Sequence, residues 1–405
     1  MAHVSFLVVL VVVTALAFDF TNGFHDTANA MATSIATGAL RPRTAVLISG
    51  VLNLVGAFLS TEVARTISGG IVDDSLVTPG VIFAGLIGAI LWNLTTWLLG
   101  LPSSSSHALF GGLIGAVCVG VGTSGVHFTA VVQKVLLPAL LSPLIAGAAA
   151  LPATYLAYRL TSGGRRGRRD RPEAVGPEGP EGPAPTGPAD DAGVPERGFR
   201  IGQVFSASLV SLAHGTNDAQ KTMGIITLTL ISAGVLDSSA GPPLWVVAAA
   251  GLTISLGTYL GGWRIIRTMG RGITDIHPPQ GFAAESAATA VILSSAHLGF
   301  PLSTTQVCSG GILGAGLGRR LAEVRWGTAG RVAVGWALTL PAAAAVGALA
   351  ALLVVHGGTA GIIVTALAAL ALSTVIVLAS RRSPVDASNV NDDHTVAVRT
   401  ATTAA

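Results

Sequence analysis

Asn22-Gly23-Phe24-His25-Asp26-Thr27-Ala28-Asn29-Ala30-Met31 is a polar tract set inside apolar sequence, and a related tract occurs once more. The second reads His214-Gly215-Thr216-Asn217-Asp218-Ala219-Gln220-Lys221-Thr222-Met223. Gly23, Asp26 and Met31 thus align with Gly215, Asp218 and Met223 at a constant offset of 192. Long apolar runs flank both copies, Val4 to Phe18 and Ile225 to Val235 among them. An ionisable side chain at membrane depth is costly, so its presence there points to a function. Two such sites at matching positions predict a transporter built from two related halves.

Composition sets the class. Of 405 residues, 51% are hydrophobic and only 11% are charged, with a mean hydropathy of +0.68. A soluble domain carries about 25% charged residues, so this chain cannot clothe a soluble surface. Abundant glycine and scarce aromatics suit close helix packing in lipid. Lipid-exposed backbone must satisfy its own hydrogen bonds, and the apolar runs lack the alternation of a membrane β-barrel. The expected fold is an all-α polytopic membrane protein with the bilayer as its solvent. A net charge of +3 spread over loop arginines gives no reason to expect a nucleic-acid partner. Cys118 and Cys308 lie in apolar segments and read as buried thiols. The N-terminal run lacks the basic region of a signal peptide and reads as a retained span.

Four regions follow: an N-terminal membrane repeat (1–160), a disordered cytoplasmic linker (161–200), a C-terminal membrane repeat (201–380) and a disordered tail (381–405). The linker holds Arg165-Arg166-Gly167-Arg168-Arg169 and a Gly-Pro-Glu stretch, a composition that cannot bury enough apolar surface to fold. Several apolar runs are shorter than the roughly 20 residues a crossing needs and are interrupted by polar tracts. They predict broken helices and two re-entrant helical hairpins.

A second duplication supports this. Leu101-Pro102-Ser103-Ser104-Ser105-Ser106-His107 is echoed by Phe300-Pro301-Leu302-Ser303-Thr304-Thr305-Gln306 at an offset of 199, and Gly111-Gly112 by Gly310-Gly311. With the arginine clusters placed in the cytoplasm, parity makes 81–122 a hairpin entering from outside and 282–318 one entering from inside. That is an inverted-topology repeat.

The Pro-Ser/Thr tracts fall at the hairpin tips. Proline interrupts a helix, and hydroxyl residues cap the next one. Its free N–H groups and positive dipole end suit an anion, so two opposed tips could enclose a tetrahedral oxyanion. Asp26 and Asp218 could bind a coupling cation, carry a proton, or repel substrate from an empty site. Lys221, aligned with Asn29, could hold the anion, pair with Asp218, or snorkel. His25, His107, His214, Asp19 and Glu285 also interrupt apolar runs, and the histidines could relay protons. No compact cluster with metal-ligand spacing appears, so no resident metal or cofactor is expected.

Together, the two polar tracts and the two Pro-Ser/Thr tips resemble the PiT family of inorganic phosphate transporters, over nearly the whole chain outside the linker and tail. The resemblance implies a homodimer in the plasma membrane that imports inorganic phosphate by cation symport. It implies phosphate ligands at Ser104, Ser105, Ser106, Ser303, Thr304, Thr305 and Gln306. It ties coupling-ion or proton binding to Asp26, Asn29, Asp218, Lys221 and His25. Sodium-driven members carry Asn where this chain has Lys221, and many relatives carry His where it has Gln306. His25 and the Gln220-Lys221 pair resemble the bacterial low-affinity permeases, which are proton-coupled and can take metal–phosphate complexes. Proton symport is therefore the expectation, with sodium symport as the alternative. An intramembrane hydrolase is disfavoured, because a nucleophile needs one dedicated base rather than two similar tips. A passive anion channel would not concentrate its substrate.

Overall fold

The computed structural model describes residues 5–169, 194–319 and 324–392. The fold is all-α, with no strand among the described residues. Helices run in the order α1 (Phe6–Ala36), α2 (Pro42–Gly56), α3 (Glu62–Gly70), α4 (Pro79–Leu98) and α5 (Ser105–Gly120). A short α6 (Phe128–Val131) passes through a π-helical turn into α7 (Leu137–Arg169). Then come α8 (Val194–Ser232), α9 (Leu244–Leu260), α10 (Trp263–Arg267), α11 (Pro278–His297), α12 (Thr304–Arg319) and α13 (Trp326–Ser380). Among the described residues, Phe6–Ala36, Pro79–Leu98, Phe128–Arg159 and Trp326–Ser380 are long and apolar enough to cross a membrane. The chain is a polytopic membrane protein. Of the expected linker, 161–169 and 194–200 continue α7 and α8, and 170–193 lies outside the described residues.

The polar tracts do not break their helices. α1 runs unbroken for 31 residues through Asp19, Asn22, Asp26 and Asn29, and α8 for 39 through His214, Asp218 and Lys221. The physical reason is periodicity. At 3.6 residues per turn, positions 19, 22, 26, 29 and 33 fall on one stripe, and all five are buried against protein. The backbone stays hydrogen-bonded within the helix while the side chains of Asp19, Asp26, Asn29 and Thr33 find partners on other helices. Interruptions fall at glycines instead: α9 and α10 bend by 62° across Gly261–Gly262, and α13 is broken at Gly358.

Two helical hairpins carry the hydroxyl tips, α4–α5 and α11–α12. Both first arms end in the same way. Gly100 (φ 64°) and Gly299 (φ 75°) take the left-handed conformation that lets a helix end in a Schellman turn. Leu101 N and Phe300 N then donate to Thr96 O and Ser295 O, each at 2.9 Å. Proline follows, and Ser104 and Ser303 cap the second arms, accepting from His107 N (3.1 Å) and Gln306 N (3.3 Å).

The halves interleave. α5 packs on α13, whereas α12 packs on α7, so each hairpin leans on a helix of the opposite half. Glycine permits the approach. A Cβ at Gly111 would lie 2.3 Å from Leu340 O, and one at its repeat mate Gly310 would lie 2.3 Å from Pro143 O. Likewise a Cβ at Gly23 of α1 would lie 2.3 Å from Ile254 O of α9, and one at Gly215 of α8 would lie 2.2 Å from Asn53 O of α2.

Residues 381–392, expected as part of a disordered tail, are docked on the fold. Arg264 Nη2 donates to Ser380 O (2.8 Å) and Ser383 O (2.5 Å), and Arg267 Nη2 to Asn389 O (2.6 Å). Asn391 Nδ2 donates to Ile35 O at 3.2 Å, and Val390 is buried. Residues 393–405 lie outside the described residues.

Candidate functional site

α1 and α8 bring the duplicated aspartates together, and the two hairpin tips close over them. Ser106 Oγ of the first tip donates to Leu302 O of the second at 3.1 Å. Trp336 Nε1 of α13 holds Pro102 O at 3.0 Å, which fixes the first tip from behind.

Asp26 is the hub. Its Oδ1 lies 2.6 Å from His25 Nδ1 and accepts from Ser105 Oγ (3.1 Å) and Thr305 Oγ1 (3.4 Å). Thr304 Oγ1 bridges the halves, 3.5 Å from Asp26 Oδ2 and 3.3 Å from Asp218 Oδ2. Asn29 Nδ2 donates to both threonine hydroxyls, at 3.2 and 3.1 Å. Through its other ring nitrogen, His25 Nε2 lies 3.1 Å from Thr96 Oγ1 and 3.3 Å from Ser103 Oγ. Asp218 is held differently: Lys221 Nζ donates to its Oδ1 at 2.7 Å, and His214 Nε2 stands 3.4 Å from its Oδ2. His214 Nδ1 faces Asn53 Oδ1 at 3.1 Å, and Asn53 in turn donates to Thr258. All these side chains are buried.

Of the predicted site residues, Ser105, Thr304, Thr305, Asp26, Asn29, Asp218, Lys221 and His25 therefore converge. Ser104 and Ser303 serve as helix caps. Gln306 is buried beside them with its Oε1 unpartnered. Lys221 neither snorkels nor reaches the tips in this conformation, because it is fully buried against Asp218.

Linear spacing showed no metal-like cluster, yet the fold forms one. Asp26, His214 and Asp218 each offer a ligand atom, and these lie within 4.8 Å of one another. The set joins residues 192 positions apart, which no linear ligand pattern reveals. Two carboxylates and an imidazole suit a divalent cation such as Mn²⁺ or Zn²⁺.

A further cluster escaped notice apart from its one charge. Glu285 Oε1 accepts from Thr33 Oγ1 (2.5 Å) and Ser34 Oγ (2.8 Å), and Oε2 accepts from Ser206 Oγ (2.5 Å). Gln203 Nε2 stands 3.5 Å from Oε1. The lone acid in an apolar helix was a visible signal. Its hydroxyl partners were not, since Ser and Thr are commonplace in such helices.

Residues 22–176 and 184–347 match the profile described as "Phosphate transporter family". The chain belongs to the phosphate transporter family. It is thus a transporter and not an enzyme. This family member is 55% identical over 390 residues to the "Probable low-affinity inorganic phosphate transporter" of Mycobacterium tuberculosis (strain ATCC 25618 / H37Rv), covering 96% of this chain and 87% of that one. It is 41% identical to the protein so named in Bacillus subtilis (strain 168), covering 85% and 96% of the two chains. A solved structure, "The sodium-dependent phosphate transporter", shares the fold with a TM-score of 0.71 at 23% identity, covering 85% of this chain and 98% of that one.

Proposed function

We propose that this protein imports inorganic phosphate across the plasma membrane by proton-coupled secondary transport. The observation that carries the proposal is the convergence of two hydroxyl-capped helix starts, α5 and α12, on a buried pair of carboxylates. The helix starts present N–H groups, the positive dipole end and the Ser105, Thr304 and Thr305 hydroxyls, a donor-rich cradle for an oxyanion. Ser104, Ser106, Ser303 and Gln306 complete the tips.

The carboxylates explain why such a cradle must couple to a cation. Asp26 and Asp218 touch the same threonine hydroxyl that would face phosphate. A dianion beside ionised carboxylates in a buried site is strongly repelled. Phosphate therefore binds when protons or cations enter with it, and leaves when they do. His25 on Asp26 and His214 on Asp218 carry imidazole nitrogens that can hold such protons. The Asp26–His214–Asp218 triangle favours a second reading, in which a divalent metal enters together with phosphate as part of the cargo. Inverted hairpins entering from opposite faces, supported by the repeat-matched tips, and a homodimeric assembly belong to the same proposal.

Radiolabelled phosphate uptake into proteoliposomes, with proton and sodium gradients imposed separately, tests it. The proton gradient alone should drive accumulation, and Asp26→Asn or Asp218→Asn should abolish it. Uptake that only equilibrates, or that is indifferent to both substitutions, would sink the proposal. Uptake stimulated by Mg²⁺ or Mn²⁺, with equimolar metal entry, would support the metal–phosphate cargo.

A further inference from the structure

A cavity of about 560 Å³ lies where the start of α2, the bend after α9 and the docked segment 381–392 meet, and none of its lining residues belongs to the site described above. One side is apolar. Leu47 and Leu260 line it with Val46, and both leucines are more than half exposed. On a chain whose solvent is the bilayer, exposed leucines face acyl chains. The other side is polar, with Arg43 and Thr44 from the first turn of α2 and Asp386 from the docked segment. Tyr259 and Trp263 also line the cavity, and such rings collect at the level of lipid headgroups. Trp263 packs on the bend itself, since a Cβ at Gly261 would lie 2.8 Å from Trp263 Cε2.

The two charges in this wall are opposite in sign, and both remain available. Arg43 is exposed and, among the described residues, donates no side-chain hydrogen bond. Arg264 and Arg267, by contrast, are spent on carbonyl oxygens of the docked segment. Asp386 accepts from Ser388 N (2.7 Å) and Ser388 Oγ (2.5 Å) on Oδ1 alone. Those bonds, with Arg43 within electrostatic reach, hold its carboxyl below the usual range, so it is ionised at neutral pH.

We infer that this cavity binds a zwitterionic phospholipid with a primary ammonium, of the phosphatidylethanolamine class: phosphate on Arg43 and Thr44, ammonium on Asp386, and an acyl chain along Val46, Leu47 and Leu260. A guanidinium fork matches phosphate oxygens. An ammonium donates to a carboxylate and is further attracted by aromatic faces such as Trp263 and Tyr259. Phosphatidylglycerol would bring the phosphate but no cation, leaving Asp386 to repel it. Phosphatidylcholine brings a cation without an N–H donor. The site is independent of the transport function proposed above. Its occupant ties α2 to the segment whose Asn391 holds the end of α1.

The test titrates purified full-length protein in neutral detergent with phosphatidylethanolamine, phosphatidylglycerol and phosphatidylcholine. Native mass spectrometry reads the lipid retained, and thermal unfolding gives a second readout. Phosphatidylethanolamine should be held about tenfold more tightly than the other two, the effect of one charge-assisted hydrogen bond. Asp386→Asn should erase that preference without weakening phosphatidylglycerol, whereas Arg43→Gln should weaken all three lipids by about tenfold. Both side chains are exposed, and the ratio between lipids within one variant does not depend on that variant's stability. Equal retention of the three lipids by wild type, a preference for phosphatidylglycerol, or a preference that survives Asp386→Asn overturns the inference. Displacement of phosphatidylethanolamine by inorganic phosphate also overturns it, because the cavity would then be a phosphate subsite.

Discussion

Asp26 accepts from side chains of three helices, so its neighbours can be ranked by what their loss would do. Ser105→Ala and Thr305→Ala each delete one hydroxyl from the tip and one donor to Asp26. A hydrogen bond to a charged group is worth about 1.5–3 kcal/mol. Each variant should raise the half-saturating phosphate concentration by about tenfold or more, measured as initial uptake rate against phosphate. Ser208→Ala, whose hydroxyl only returns to Val204 O on its own helix, is the control and should leave it unaltered. Glu285 makes a different prediction. Its two oxygens collect hydroxyls from α1 and α8, so Glu285→Ala leaves several buried donors unpaired and should destabilise the fold by about 3 kcal/mol or more. Glu285→Gln keeps the shape and an acceptor and should lose less. Melting curves of the two variants decide the order. At this scale the sequence was informative wherever charge stood out. Asp26, Asp218 and Lys221 were visible because ionisable groups are rare in lipid. Gln203, Ser206, Thr33 and Ser34 were invisible because their importance comes from Glu285, which reaches them only through the fold.

Among the elements, α1 and α8 teach most. A polar tract inside an apolar run suggested a broken helix, because hydropathy averaged along the chain drops there. The helix persists because the polar residues share a stripe and only one face needs partners. Glycine positions show where packing is least tolerant. A Cβ at Gly215 would lie 2.2 Å from the backbone oxygen of Asn53, whereas Gly330 of α13 has nothing within 4 Å. Gly215→Ala must push α8 from α2 and should cost about 1–3 kcal/mol. Gly330→Ala should be neutral or slightly stabilising, since alanine is the better helix former. Thermal unfolding of both, side by side, checks the contrast. The hairpin tips were more legible than the long helices, because proline and a capping hydroxyl act locally and need no tertiary partner.

At the level of the whole molecule, the duplicated motifs were legible but the helix pairings were not. Motif offsets pair the two polar tracts and the two tips, yet nothing in either copy says that α5 must lean on α13 and α12 on α7. Those pairings arise from helix surfaces whose glycines match only once folded. The consequence is testable. Fragments 1–169 and 194–405, co-expressed as separate chains, should copurify and take up phosphate, while either alone should fail to yield a stable monodisperse protein. Size-exclusion chromatography of the single and paired fragments would show it, and a stable lone half would contradict the interleaved packing.

The strap formed by residues 381–392 bears on how this protein can be handled. Arg264 and Arg267, at the bend after α9, spend their guanidinium groups on its carbonyl oxygens, and Asn391 reaches the C-terminal turn of α1. A truncation at the end of α13 would therefore take Ser383 O from Arg264 and Asn389 from Arg267, and strip cover from the far end of the helix that bears Asp26. Affinity tags and fluorescent fusions belong beyond Asp392, and a shortened chain engineered for crystals should be expected to report on a loosened α1.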